Sequence, residues 1–176
     1  GAFSLIKKAV EQFPEFCIGA GTVLSADATK RAVDAGAKFI VAPDLNDSVA
    51  EYCVKNNLAF FPGALTPTEI AKAWSSGATM VKVFPASQMG PSYFKVLKGP
   101  FEQIKLMAVG GVGPKNISEY FSAGASAVAL GGSIFSLSRM ANREYNAMQK
   151  DIEEFMFAVN KNYSNIDNID LANHSN

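Results

Sequence analysis

Six short apolar runs, each followed by a longer amphipathic stretch, constrain this chain more than any other feature of its sequence. The runs cover residues 16–23, 39–43, 59–63, 80–85, 105–111 and 127–132. Each is rich in Val, Ile, Phe, Leu, Met and Ala and nearly free of polar residues. That is the pattern of strands covered on both faces in a parallel sheet. The intervening stretches open with helix-start chemistry: Ser25 ahead of Ala26-Asp27-Ala28, Gly113-Pro114, and Thr66-Pro67-Thr68-Glu69, with a cap, proline at N1 and glutamate at N3. Strands alternating with helices of this length predict right-handed βα units.

An internal repeat reinforces the pattern. Ala35-Gly36-Ala37, Ser76-Gly77-Ala78 and Ala123-Gly124-Ala125 each fall between a helix and the next strand, where glycine suits a left-handed C-cap. Alignment on these glycines sets Lys82 level with Val41 and Ala129, and Phe84 level with Pro43 and Gly131. Lys82 thus takes a mid-strand position that sister units fill with small or apolar residues. A helix over 3–13 precedes the first run. A closed (βα)8, or TIM, barrel needs eight strands and roughly 200 residues, against 176 here. The expectation is such a barrel without its first strand–helix–strand, which would lie upstream of Gly1; a six-stranded open sheet is the competing reading. The barrel domain is read over 1–162, with an Asn- and Ser-rich, polar, disordered tail over 163–176 that holds His174, the sole histidine. The stripe Tyr145, Met148, Ile152, Phe155, Met156 and Val159 reads as helix packing.

Composition narrows the function. Sixteen basic and 16 acidic residues balance, which gives no footing for nucleic acid. No apolar run reaches the ~18 residues that a membrane span needs. Cys17 and Cys53 stand far apart, without metal-type spacing, and a reduced, cytoplasmic protein is expected.

Lys82 lies in Val81-Lys82-Val83-Phe84, and an ammonium against an outer helix layer would carry a large desolvation penalty. Directed inward, a buried lysine loses its proton more readily, and the neutral amine can attack a ketone. The alternative is a buried stem with the amine snorkelling to the rim. Gly110-Gly111 and Gly131-Gly132-Ser133 end two consecutive runs, and bare amides there suit an anion such as phosphate. Their other reading is tight turns alone. Gly19-Ala20-Gly21-Thr22 lacks the third glycine of a dinucleotide fingerprint. Asp44 alone follows a run as a carboxylate, where it could equally cap a helix, so a metal-dependent reaction has little support.

In order along the chain, Gly19-Ala20-Gly21-Thr22-Val23-Leu24, Phe61-Pro62-Gly63-Ala64-Leu65-Thr66-Pro67-Thr68-Glu69, Val81-Lys82-Val83-Phe84-Pro85-Ala86, Gly110-Gly111-Val112 and Gly131-Gly132-Ser133 resemble the 2-keto-3-deoxy-6-phosphogluconate (KDPG) / 4-hydroxy-2-oxoglutarate (KHG) aldolases. The resemblance spans about 3–163 in one register. It implies a class I aldolase in a TIM barrel, with no metal or cofactor, assembled as a homotrimer. Its substrate would be a keto-acid sugar phosphate, cleaved to pyruvate and glyceraldehyde 3-phosphate, with 4-hydroxy-2-oxoglutarate cleaved to pyruvate and glyoxylate as a further activity. It further implies that Lys82 forms the Schiff base, Thr22 contacts the pyruvyl carboxylate, and Pro43 and Phe84 wall the site. Gly110, Gly111, Gly132 and Ser133 would hold phosphate.

Two departures follow from the same resemblance. The family's general-base glutamate and its partner arginine lie on a strand expected before Gly1. A protein beginning at Gly1 would then form a Schiff base with little turnover, or serve as a phosphate-ligand-binding remnant. The second departure is Ala108-Val109-Gly110-Gly111, where the gluconate enzymes resemble Pro-Thr-Gly-Gly. Val109 cannot hydrogen-bond a sugar hydroxyl, which brings in 2-keto-3-deoxy-6-phosphogalactonate aldolase as the alternative. A barrel isomerase or synthase would share the glycine clusters but has no need of Lys82.

Overall fold

The computed structural model describes residues 1–132 and 134–173, with side chains through 162. It is an α/β protein whose strands pair in parallel. The chain divides into two compact units, Gly1–Phe84 with Phe101–Leu106, and Pro85–Pro100 with Met107–Asn176.

The first unit runs α1 (Ala2–Gln12), α2 (Ala26–Asp34), β1 (Phe39–Val41), α3 (Asp47–Lys55), β2 (Ala59–Phe61), β3 (Gly63–Ala64), α4 (Pro67–Ser75) and β4 (Val81–Val83). Local chemistry fixes the helix starts. The Ser25 hydroxyl accepts from the Ala28 amide, and Asn46 caps α3 through the Ser48 and Val49 amides. At α4 the Thr66 hydroxyl accepts from the Glu69 amide, while the Glu69 carboxylate accepts from Leu65 and Thr66. Such a reciprocal cap is worth about 1 kcal/mol. Strand β1 pairs with β2, setting Ile40 opposite Phe60, and both are buried. Val49, Ala50 and Cys53 of α3 join them in one apolar core, against which Phe3 and Ile6 of α1 also pack. The Arg31 guanidinium lies 4.3 Å from the Phe3 ring centroid and ties α1 to α2.

Two predicted strands differ from expectation. The run 16–23 forms no regular strand; Ala20 makes one bridge to Ile40, and the Val23 amide donates to the Val41 carbonyl. Thr22 breaks the extended run, with φ at 57°, a region where a β-branched residue is strained. The run 59–63 is two strands because Pro62 has no N–H to continue a ladder. Strand β2 serves β1, and β3 serves β4.

The second unit runs α5 (Ala86–Met89), α6 (Pro91–Lys98), β5 (Leu106–Val109), α7 (Ile117–Ser122), β6 (Ala127–Ala129), α8 (Leu137–Ala141) and α9 (Tyr145–Asn173). Strand β5 pairs with β6, Met107 to Ala127 through Val109 to Ala129. Phe94 and Tyr120 meet edge to face at 5.3 Å in its core, joined by buried Leu97 and Ile117. Helix α7 begins at Ile117, later than Gly113-Pro114 predicts, because residues 113–116 first close a turn. Of the stripe on α9, Met148 and Phe155 are buried, whereas Tyr145 and Met156 are exposed. The helix runs through Asn173, across most of the segment that composition reads as a tail. No helix among the described residues is long and apolar enough to cross a membrane.

Candidate active site

Lys82 is the central residue of β4, between Val81 and Val83, which are fully buried. Strand alternation turns Lys82 and Phe84 to the opposite face. There the Lys82 amine lies 4.9 Å from the Phe84 ring centroid. Its amide donates to the Pro62 carbonyl at 2.8 Å, which fixes the backbone beneath the amine. Gly63 is the cross-strand partner of Lys82, and a Cβ at Gly63 would strike the Pro43 carbonyl. The bare glycine therefore lets the ends of β1 and β3 approach closely.

Burial pulls the Lys82 pKa below its ordinary 10.5, because desolvation penalises the ammonium. The Phe84 ring face favours the cation and works against this shift. Among the described residues no carboxylate forms an ion pair with Lys82. A half-buried amine without a counter-ion is chemically suited to nucleophilic attack. Cys53 is not: burial raises its thiol pKa to about 11.

Pro43 and Phe84 line one cavity of about 330 Å³ with Asp44, Gly63, Glu69 and Lys72. Thr22 is exposed and lines a separate cavity with Phe3 and Ile6 of α1. Lys82 thus lies beside Phe84, which shares a cavity lining with Pro43, while Thr22 lines a different cavity. Among the described residues no cluster of His, Cys, Asp and Glu could hold a metal ion.

In the second unit, Val109 closes β5, and the chain turns through Gly110 and Gly111, with φ of 92° and 74°. Gly111 packs so closely on Ser87 that an added Cβ would lie 2.7 Å from its hydroxyl oxygen. The Gly110 carbonyl accepts from the Ser87 amide. Gly132 follows β6 with open space around it, and Ser133 lies outside the described residues.

Sequence reasoning passed over Asn116. Its Oδ1 accepts from the Gly113 amide at 2.9 Å, and its Nδ2 donates to the Gly111 carbonyl at 3.0 Å. The side chain clasps the glycine turn instead of capping α7. An asparagine just ahead of an apolar helical run was the available signal. Ser87 carried none, because its neighbour Gly111 is 24 positions away in sequence.

The fold is α/β with parallel strands, with a lysine inside β4 and glycine turns after β5 and β6. The family model for KDPG and KHG aldolase matches residues 1–151, and the chain belongs to that family. The 2-dehydro-3-deoxy-phosphogluconate aldolase of Haemophilus influenzae is 40% identical over 123 residues, covering 69% of this chain and 58% of the relative. The 2-dehydro-3-deoxy-6-phosphogalactonate aldolase of Escherichia coli is 35% identical over 143 residues, covering 81% and 70%. The KDPG aldolase of Legionella pneumophila, solved with pyruvate captured as a covalent carbinolamine, superposes with a TM-score of 0.77 at 26% identity, covering 85% of this chain and 73% of that one. The chain therefore spans under two-thirds of the Haemophilus relative's length.

Proposed function

We propose that this chain is the greater part of a class I aldolase that cleaves 2-keto-3-deoxy-6-phosphogluconate through a Schiff base on Lys82. The observation that carries the reading is the half-buried Lys82 amine, without an ion-pair partner among the described residues and with its pKa lowered by burial. The neutral amine adds to the C2 ketone and water leaves, giving a protonated imine. Breaking the C3–C4 bond sends its electron pair into that imine. A base takes the C4 hydroxyl proton, glyceraldehyde 3-phosphate departs, and hydrolysis of the protonated enamine's imine form releases pyruvate and free Lys82.

In this reading Thr22 meets the pyruvyl carboxylate and Pro43 and Phe84 wall the reacting carbons. Val109 sits beside the sugar hydroxyls, and Gly110, Gly111, Gly132 and Ser133 hold phosphate. Remote phosphate binding would fix the bond to be cleaved relative to the amine. The family resemblance assigns the base to a glutamate on a strand N-terminal to those present here, in a complete (βα)8 barrel. It also favours a metal-free, cofactor-free, cytoplasmic homotrimer, and cleavage of 4-hydroxy-2-oxoglutarate as a further activity.

The 6-phosphogalactonate substrate is the second reading, favoured by Val109 and by the 35% identity to the Escherichia coli galactonate enzyme. Incubation with pyruvate and borohydride, read by intact mass, should give one stable adduct per chain; no adduct would remove the aldolase reading. Pyruvate release from the two C4-epimeric substrates then ranks gluconate against galactonate.

A further inference from the structure

Gly131 and Gly132 face open space on their side-chain side: a Cβ at either would meet nothing within 4 Å. The bonds that hold this turn come from residues downstream. The Gly131 carbonyl accepts from the Ile134 and Phe135 amides, each at 3.1 Å, and the Ile134 side chain is buried. The Ile134 carbonyl in turn accepts from Arg139 Nη1 at 3.3 Å. The same nitrogen reaches Asp151 Oδ2 at 2.7 Å, and Arg139 Nε reaches Glu144 Oε2 at 3.3 Å. The Ser136 hydroxyl accepts from the Arg139 amide and sets the start of α8. One guanidinium, with its side chain 20% exposed, therefore joins the turn after β6, the α8–α9 connection and the first turns of α9.

We propose that Arg139 is a positioning residue that aims the Gly131-Gly132 amides at a phosphate ester. The inference rests on the reading that this turn receives phosphate. Arg139 does not touch the ligand; it works through the Ile134 carbonyl, and its rigid fork is what lets one side chain satisfy three acceptors. A lysine could reach one or two of them but not hold the same geometry.

Calorimetric titration with glycerol 3-phosphate, and with glycerol as the phosphate-free control, tests this on wild type, Arg139→Gln, Arg139→Lys and Asp151→Asn. Pyruvate trapping on the same samples reports whether the Lys82 strand is intact. Arg139→Gln should weaken glycerol 3-phosphate by about tenfold, Arg139→Lys should recover part of that, and trapping should stay at the wild-type level in both. Asp151→Asn leaves Arg139 its Glu144 and Ile134 partners and should weaken binding by about threefold, the scale of one partly exposed ion pair. It keeps the test decisive if Arg139→Gln fails to fold. Unchanged affinity in the folded variants overturns the inference, as does a parallel fall in binding and trapping, which is the mark of a merely structural role. A wild-type chain that binds glycerol 3-phosphate no better than glycerol removes the phosphate reading, and this inference with it.

Discussion

The β4 strand and the glycine turns after β5 and β6 would do their work with opposite materials. At β4 the reactive group is a side chain, and the strand on either side of it is rigid: Val81 and Val83 are fully buried, and the Lys82 amide is bonded to Pro62. At the turns the groups proposed to bind are bare backbone amides, and the turns are braced by side chains placed elsewhere, Asn116 at one and, through Ile134, Arg139 at the other. A nucleophile needs a tuned pKa, which burial supplies. An anion site needs convergent N–H groups, which only a small-residue turn presents. The difference teaches that substitutions at β4 should change chemistry at one atom, whereas substitutions around the turns should change geometry from a distance.

Lys82→Met would break the comparison most sharply. Borohydride trapping of pyruvate should fall to background, while glycerol 3-phosphate affinity stays at wild type. Retained trapping would mean that another lysine carries the imine. Gly111→Ala comes next. A methyl at φ 74° that also collides with Ser87 should cost about 1–3 kcal/mol of unfolding free energy, read by urea denaturation. Gly132→Ala, in open space, should stay within about 0.5 kcal/mol. Equal effects at the two glycines would undo the distinction between a packed glycine and an unpacked one.

Thr66→Ala is smaller and lies outside both regions. Loss of the hydroxyl that accepts from Glu69 should cost about 1 kcal/mol and leave trapping intact. The Glu69 carboxylate is held below its ordinary 4.5 by the Thr66 and Leu65 amides. A depressed carboxylate pKa stabilises the fold above the unfolded value, and that contribution is lost as pH falls through the folded one. Glu69→Gln should therefore flatten the loss of stability on the acid side of about pH 4.5. Phe84→Leu is the smallest. Without the ring face the ammonium loses support, and the Lys82 pKa should drop further, seen as an earlier alkaline rise in trapping rate.

Much of this arrangement was legible in the sequence because it is periodic or chemically odd. Five of the six runs hold strands and are marked by hydrophobicity alone, and Lys82 stands out because its sister positions hold valine and alanine. Thr66-Pro67-Thr68-Glu69 names its own cap, and the structure makes every bond it promises. What pattern could not give was long-range. The split at Pro62 depends on which neighbour each half pairs with. The break at Thr22 is a backbone conformation that no composition announces. Arg139 reads as one more surface charge until its three acceptors, spread over residues 134 to 151, are seen together.

Lys82 is proposed as the nucleophile because burial disfavours its ammonium and so favours the neutral amine. The rate of pyruvate trapping at Lys82, followed by peptide mass across pH at constant ionic strength, tests it most directly. The account predicts labelling on the Lys82 peptide with a midpoint below the ordinary lysine value of 10.5. A midpoint at or above 10.5, or labelling spread over the exposed lysines, would contradict it.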